Sequence, residues 1–346
     1  MDQTPTISIV VPVRNRERTI GKCIQSLVNL DYPSYEVIVV DNGSTDKTLE
    51  IISQFPVRLA RESRKGPYAA RNKGIEAAQG ELVFFMDSDC IADKGLLKNL
   101  VKHLTPEGIA GVGGQLQTYD PKTLTEQFED FAGILVYNLP KGLVHWDRHK
   151  FLSGAIYTAN ALFKKEVLQE VGGFDPEFMS GGDFHLCWQV QRLGYRIAFS
   201  PEAIVKHVHR SNVRGLIKQF FKYGKEQPLL LKKQPERFSY IKIKTYVWPH
   251  YEFKCHTPIR MLVTIDSCNL FLLGLILTTV SPIFLYFSAM AFSLVLLGTL
   301  REASKIVKAC GQWKWFLLFP FFHLVRDYSF TLGRIWGGIK HRVVAI

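Results

Sequence analysis

The sequence predicts an α/β fold: an open, mostly parallel sheet flanked by helices, followed by a C-terminal α-helical transmembrane or interfacial segment. Three observations predict it. Short continuous β-branched runs alternate with helix-spaced apolar residues over residues 7–86, as in sheets covered on both faces. Carboxylates stand at the ends of these runs, at Asp41, Asp87 and Asp89. Near the C-terminus lie two apolar stretches, each about one bilayer crossing (~20 residues) long.

Taken in order, Ile7–Val13 is the first strand, and Arg18–Leu30 carries Ile20, Ile24, Leu27 and Val28 at helical spacing before Asp31-Tyr32-Pro33 breaks it. Val37–Val40 is a second strand ending at Asp41. A turn and helix follow, with Ser44 or Thr45 as the expected N-cap. Val57–Ala60 is a third strand. Pro67 suits the first turn of a helix that Gly80 stops, and Leu82–Met86 is the fourth strand. This β-α-β order implies right-handed crossovers and a ligand site at the carboxyl ends of the strands. Beyond residue 110, "GVGGQLQTY" reads as strand and turn, and Thr123–Leu139 as a helix or lid-like excursion. "TANALFKKEVLQEVGGFD" reads as a strand entering a helix, and Asp183–Leu193 as a helix before another strand.

Composition changes from about Ile259. Residues 261–280 and 283–300 are the two expected spans, separated by Ser281-Pro282; the apolar run Trp313–Val325 meets Arg326-Asp327 too early to span, so 313–335 is an expected interfacial or re-entrant helix. The domain reading is therefore an α/β part over 1–225, in two halves (1–110 and 111–225). A basic juxtamembrane linker (226–258) and membrane-associated helices (259–346) complete it. "TISIVVPV" near the N-terminus reads as the first strand rather than a signal peptide. Lys and Arg flank the apolar stretches, so the rule that basic loops stay inside puts the α/β part in the cytoplasm. The net charge of +12 calls for an anionic partner. The basic residues are largely juxtamembrane and no RNA- or DNA-binding motif occurs, so membrane lipid fits better than nucleic acid. The six cysteines lack CxxC spacing, which argues against a zinc site and a disulfide framework.

Chemistry concentrates at Asp87-Ser88-Asp89, an acidic pair ending a buried strand. Hard cations such as Mg²⁺ or Mn²⁺ take oxygen ligands and bridge carboxylates to diphosphates. One aspartate can reach such a metal while the other accepts from a ribose hydroxyl. Asp183 follows the flexible Ser180-Gly181-Gly182 and opens a helix, where the dipole favours a carboxylate; read alone it is an N-terminal capping residue. His207 and His209, two apart on a strand, share a face; one or the other can complete a metal shell, or both are surface histidines in a basic region. Trp146, Tyr157 and Trp188 are candidates to stack on sugar rings, and Trp188 fits the core equally. Asn160 is an acceptor-site candidate, and Gly113 and Gly114 allow backbone to approach a donor.

In this order, "SIVVPVRNRERTIGKCIQSL", "VIVVDNGSTDKT", "GPYAARNKGIEAAQGELVFFMDSDC", "GGFDPEF" and "GGDFHLCWQVQRLGY" resemble the family 2 glycosyltransferases, inverting enzymes of the Rossmann-like GT-A fold. The resemblance covers about residues 6–225 and implies that 1–225 is a catalytic domain with a nucleotide-binding half (1–110) and an acceptor half (111–225). It implies that Asp41 binds the nucleotide base, with Pro12, Arg14 and Asn15 beside it. It further implies Arg71 near the phosphates, Asp87 on the ribose with Ser88 beside it, and Asp89 on the metal. Asp183 is the implied general base. The family usually shows Glu-Asp where this chain has Gly182-Asp183; Gly182 stands at the position that usually contacts the acceptor and is, with Asn160 and Trp188, an acceptor-site candidate. The expected activity is metal-dependent transfer of a sugar from a nucleotide-sugar donor to a lipid-linked or saccharide acceptor, in lipid-linked glycan or polysaccharide synthesis. No QxxRW motif is found, so one sugar per encounter is expected. A dinucleotide or nucleotidyl-transfer enzyme would want a glycine-rich phosphate loop, which "PVRNRERT" does not offer. A non-catalytic membrane protein keeping the fold is the other reading; it would be expected to have lost Asp89 or Asp183.

Overall fold

A computed structural model describes residues 5–104, 107–133, 142–144, 155–233, 238–244, 251–256 and 261–345. Among these, residues up to Lys122 and from Ala132 to His209 form one unit; Thr123–Phe131 and the residues from Arg210 onward form a second.

The first unit begins with β1 (Ile7–Val13), α1 (Ile20–Leu27), β2 (Tyr35–Asp41), α2 (Thr48–Ile52), β3 (Arg58–Arg61), α3 (Pro67–Ala77) and β4 (Leu82–Phe85). Strands β3, β2, β1 and β4 pair in parallel, as the alternating runs predict. β1 is buried almost throughout, because a central parallel strand is covered on both faces. Helix α1 turns Ile20, Cys23, Ile24 and Leu27 onto the sheet, each aliphatic side chain worth roughly 2 kcal/mol of burial. α3 lies so close to β1 that a Cβ at Gly74 would overlap Val10, and this depth carries Tyr68 and Arg71 to the strand ends. The expected cap of the second helix is displaced. Asp46 accepts from the Thr48 amide (3.0 Å), while Ser44 and Thr45 bond to Asn15 instead.

The remainder of this unit comprises β5 (Cys90–Ala92), α4 (Leu96–Val101), β6 (Ile109–Thr118), β7 (Gly142–Val144), β8 (Ala161–Lys164), α6 (Lys165–Glu170), α7 (Gly182–Arg192) and β9 (Arg196–His207); α5 (Leu124–Phe131) belongs to the second unit. The nine-stranded sheet runs β3-β2-β1-β4-β8-β6-β9-β5, with β7 also on β9. β8 is antiparallel to β4 and β6, β9 is parallel to β6, and β5 is antiparallel to β9. The last pairing sets Cys90 opposite His207, beside the acidic turn.

In the second unit, α8 (Val213–Lys233) is followed by β10 (Phe238–Lys244), β11 (Tyr251–His256), β12 (Met261–Asp266), α9 (Ser267–Leu277), α10 (Ile283–Cys310), α11 (Trp315–His341) and β13 (Val344–Ala345). The stretch read as a basic linker over 226–258 thus holds the end of α8 and an antiparallel strand pair. The expected span over 261–280 is not one helix. Met261–Asp266 pairs in parallel with β10, and α9 has 11 residues, about 17 Å against a ~30 Å hydrocarbon core. Hydropathy alone cannot separate a β-branched strand from a helix.

The stretch 283–300 lies in α10, whose 28 residues form, among the described residues, the one helix long and apolar enough to cross a membrane. It exposes Ile283, Tyr286, Met290 and Leu297. α11 runs through Arg326-Asp327 without a break. Asp327 binds Arg326 Nε (2.7 Å) and His323 Nε2 (3.2 Å), so the charges are answered within the helix. α8 and α11 meet backbone to backbone: a Cβ at Gly224 would overlap the Phe330 carbonyl, and one at Gly333 the Phe221 carbonyl. Phe128 of α5 stacks on Phe322 (5.2 Å between centroids) and Phe131 meets Trp315. Of the predicted excursion over 123–139, this helix is described; residues 134–139 and Trp146 lie outside the described residues.

Candidate active site

Register brings the chemistry together. Val13 pairs with Asp41 and Val10 with Phe85, so Asp41 and the Asp87–Asp89 turn leave the sheet at the same end as Pro12. Asp41 is buried and accepts from the amides of Gly43 (3.2 Å) and Ser44 (3.1 Å), which orients its carboxylate within its own turn. Asn15, at φ 52°, accepts from the Thr45 amide (2.8 Å) and clamps the loops after β1 and β2 together. Arg14 is exposed and Pro12 half-buried. Asn42, not singled out by the sequence, donates to the Glu62 and Arg64 carbonyls (2.9 and 2.8 Å) and accepts from the Gly66 amide (2.8 Å), anchoring the start of α3.

Asp87 and Asp89 have different surroundings. The Asp87 side chain is 35% exposed and receives Arg71 Nη2 at 2.5 Å, a charge-assisted bond that leaves its other oxygen toward solvent. Arg71 itself is buried, its guanidinium 5.1 Å from the Tyr68 ring centroid and 6.0 Å from that of Phe174. Ser88 is buried between the two aspartates. Asp89 is buried, with His207 Nε2 3.5 Å from Oδ1 and Arg16 Nη2 3.7 Å from Oδ2. Sequence reasoning missed Arg16, which sits in a run of exposed basic residues with nothing local to distinguish it. Of the two histidines, His207 lies beside Asp89, whereas His209 Nε2 bonds Thr118 Oγ1 (2.9 Å).

Asp89, Cys90 and His207 bring ligand atoms within 4.8 Å of one another. Burial pushes the Cys90 thiol well up, and the charges of Asp89 and Asp87 add to this, so it stays protonated at neutral pH. The effective donor set is a carboxylate and an imidazole, which suits Mn²⁺ or Mg²⁺ in company with phosphate oxygens. These residues fit such a cation.

Asp183 stands in the first turn of α7, buried, its Oδ1 accepting from the Phe184 amide (3.0 Å). Burial raises its pKa to about 6; Arg71 and the Phe184 amide oppose the rise, and Asp87 adds to it. A carboxylate with that value is poised to take a proton near neutral pH. Gly182 has no room for a side chain, since a Cβ there would lie 2.8 Å from the Tyr68 ring. Other expected contacts point elsewhere. Asn160 is buried and spends its amide on the carbonyls of Gln115 (3.0 Å) and Ala203 (2.9 Å), fixing the sheet rather than facing an acceptor. Gly113 and Gly114 make room for Ile156 and Asn160 rather than for a donor. Trp188 is half-buried, covered by the Arg192 guanidinium at 5.0 Å, and Tyr157 packs edge-on against Phe184.

Comparison with known proteins gives the family and the fold. The profile of glycosyl transferase family 2 matches residues 8–172. Glycosyltransferase AglE of Haloferax volcanii is 32% identical over 233 residues, 64% of this chain and 73% of its own length. A dolichyl N-acetyl-alpha-D-glucosaminyl phosphate 3-beta-D-2,3-diacetamido-2,3-dideoxy-beta-D-glucuronosyltransferase of Methanococcus voltae is 28% identical, over 66% of this chain and 74% of its own. In fold, the chain is similar to the mannosyltransferase PcManGT of Pyrobaculum calidifontis, solved with GDP-Man and Mn²⁺. That match has a TM-score of 0.56 and 18% identity, and covers 97% of this chain and 88% of that one. Fold, site and relatives agree: the chain belongs to glycosyl transferase family 2 and is a glycosyltransferase.

Proposed function

We propose that this enzyme moves a sugar from a nucleoside-diphosphate sugar to a hydroxyl or phosphate of a lipid-linked or saccharide acceptor, with inversion, during glycan synthesis at a membrane. The observation that carries the reading is Arg71. One buried guanidinium holds Asp87 at 2.5 Å and acts on the charge of Asp183, tying the donor side of the site to its base.

Each residue then has a task. Asp41, with Pro12, Arg14 and Asn15, receives the base of the nucleotide; Asp87, Ser88 and Arg71 receive the ribose and diphosphate. Asp89 and His207 would hold Mg²⁺ or Mn²⁺, which when bound supplies positive charge against the departing diphosphate. Asp183 accepts the proton of the acceptor hydroxyl as its oxygen bonds to the anomeric carbon. The bond from that carbon to the β-phosphate oxygen breaks, and its electron pair leaves on the nucleoside diphosphate. One sugar is added per encounter. The exposed apolar face of α10 supports membrane attachment, and the basic residues Arg301, Lys305 and Lys308 at its end support a catalytic unit on the cytoplasmic side.

The test is a screen of UDP-, GDP- and dTDP-sugars with the purified chain and membrane extract, followed by identification of the labelled product. Asp183→Asn should abolish transfer while nucleotide binding persists. Equal loss of both would count against the assignment, and a polymeric product would overturn the single addition.

A further inference from the structure

A family 2 enzyme with glycine in place of the usual acidic neighbour of its base must fill that space in another way. Here the filler comes from α3. The Cδ2, Cε2 and Cζ atoms of Tyr68 lie 2.8–2.9 Å from the point where a Cβ of residue 182 would stand, a separation no side chain could occupy. Tyr68 is 4% exposed, stacks on Phe174 with 5.3 Å between centroids, and carries the Arg71 guanidinium on its ring. Gly182 precedes Asp183 and is the first residue of α7, so the ring presses on the turn that presents the base.

We propose that Tyr68 is the positioning residue for Asp183: its ring occupies the volume of the missing side chain at 182, sets the first turn of α7 and shields the carboxylate from water. The inference rests on the reading of Asp183 as base. The groups acting on Asp183 are Arg71 and Tyr68 from α3, Asp87 from the turn after β4, and the Cys187 thiol on its own helix. Among them Tyr68 is neutral, because burial and then the charge of Asp183 push its phenol well up. Its hydroxyl oxygen accepts from the backbone amides of Gly182 and Asp183, so the ring excludes water while the oxygen holds the turn that carries the base.

The experiment measures kcat, donor KM and the pH profile of kcat/KM for the full chain, using the donor that the screen identifies. Tyr68→Phe keeps the ring but loses the bonds to the Gly182 and Asp183 amides, so it should lower kcat about 3–10-fold, less than Tyr68→Ala, and leave the acid limb near pH 6. Tyr68→Ala should lower kcat about 10–100-fold, as misplaced catalytic groups do. It should also move the acid limb down by about one unit as water reaches the carboxylate. Donor KM should change little in Tyr68→Phe, which keeps the ring under Arg71, and rise in Tyr68→Ala, which removes it. Gly182→Ala should lower kcat about tenfold in the native background and hardly at all in the Tyr68→Ala background, because the two positions share one volume. If Tyr68→Ala does not fold, Tyr68→Leu and Gly182→Ala alone carry the same comparison, with UDP or GDP binding as the check on integrity.

An unmoved acid limb and kcat in Tyr68→Ala, or an equal cost of Gly182→Ala in both backgrounds, would overturn the inference. A wild-type kcat in Asp183→Asn would instead sink the base assignment, whatever the Tyr68 variants do.

Discussion

Replacing Asp183 with asparagine should inactivate the enzyme and stabilise it. The carboxyl is buried, and its pKa is raised from 3.8 to about 6. The folded state therefore binds this proton more tightly than the unfolded chain. Below about pH 4 both states are protonated and burial is free of charge. Between about pH 4 and 6 the unfolded chain releases this proton while the folded carboxyl holds it, so stability falls, and above about 6, where the folded carboxyl ionises too, the penalty is complete. A rise of about two units corresponds to about 3 kcal/mol at ~1.4 kcal/mol per unit. The favourable field at the start of α7 returns about 0.5 kcal/mol of this to the native carboxylate, a return the neutral amide forgoes. Asparagine is neutral at every pH and keeps an oxygen for the Phe184 amide. The expected gain at pH 8 is about 2 kcal/mol, or roughly 4–8 °C in Tm for a unit of this size. Loss of the base should lower kcat about 10²–10⁴-fold. Scanning calorimetry of the detergent-solubilised chain at pH 8 and pH 4 reads the first effect, and donor turnover the second. A variant less stable than the native chain at pH 8, or equally stabilised at both pH values, would refute the reasoning.

Three further outcomes are expected. The pH profile of kcat/KM should fall about tenfold per unit below pH 6, where Asp183 takes up its proton; a flat profile to pH 5 would contradict the assignment. Arg71→Met should weaken nucleotide binding by calorimetric titration, because it strips the partner from Asp87. The same change should move the acid limb upward, since Arg71 is the chief influence holding Asp183 down. Gly333→Leu should cost upwards of 2 kcal/mol by overpacking the contact between α11 and the Phe221 carbonyl of α8. Loss of monodisperse protein in size-exclusion chromatography would report it.

Strands β1, β2 and β4 were legible because each is a buried run that stops at a polar turn, and aspartates mark the ends of β2 and β4; β3, largely exposed, was legible only as a short apolar run. The second half of the sheet was not. β8, β6 and β9 interleave across long sequence separations, and pairing of that kind leaves no local periodicity. The placement of Asp87, Asp89 and Asp183 followed from motifs, but their partners did not. Arg16 reaches Asp89 across 73 positions that carry no shared pattern, and Tyr68 is an unremarked aromatic until its ring is seen against Gly182. In the second unit, hydropathy found α10 but merged a strand with a short helix at 261–280. Asn160 misled for a physical reason: a polar residue beside a glycine-rich strand suggests a ligand, yet its amide bonds the sheet.

The account depends on a cation seated at Asp89 with the donor diphosphate beside it. Anomalous scattering from crystals grown with Mn²⁺ and a nucleoside diphosphate tests this directly. The expected peak lies about 2.1 Å from an Asp89 carboxylate oxygen and within ligand distance of His207 Nε2, with the diphosphate on its open side. A manganese peak away from Asp89, with the nucleotide fully bound, would contradict it.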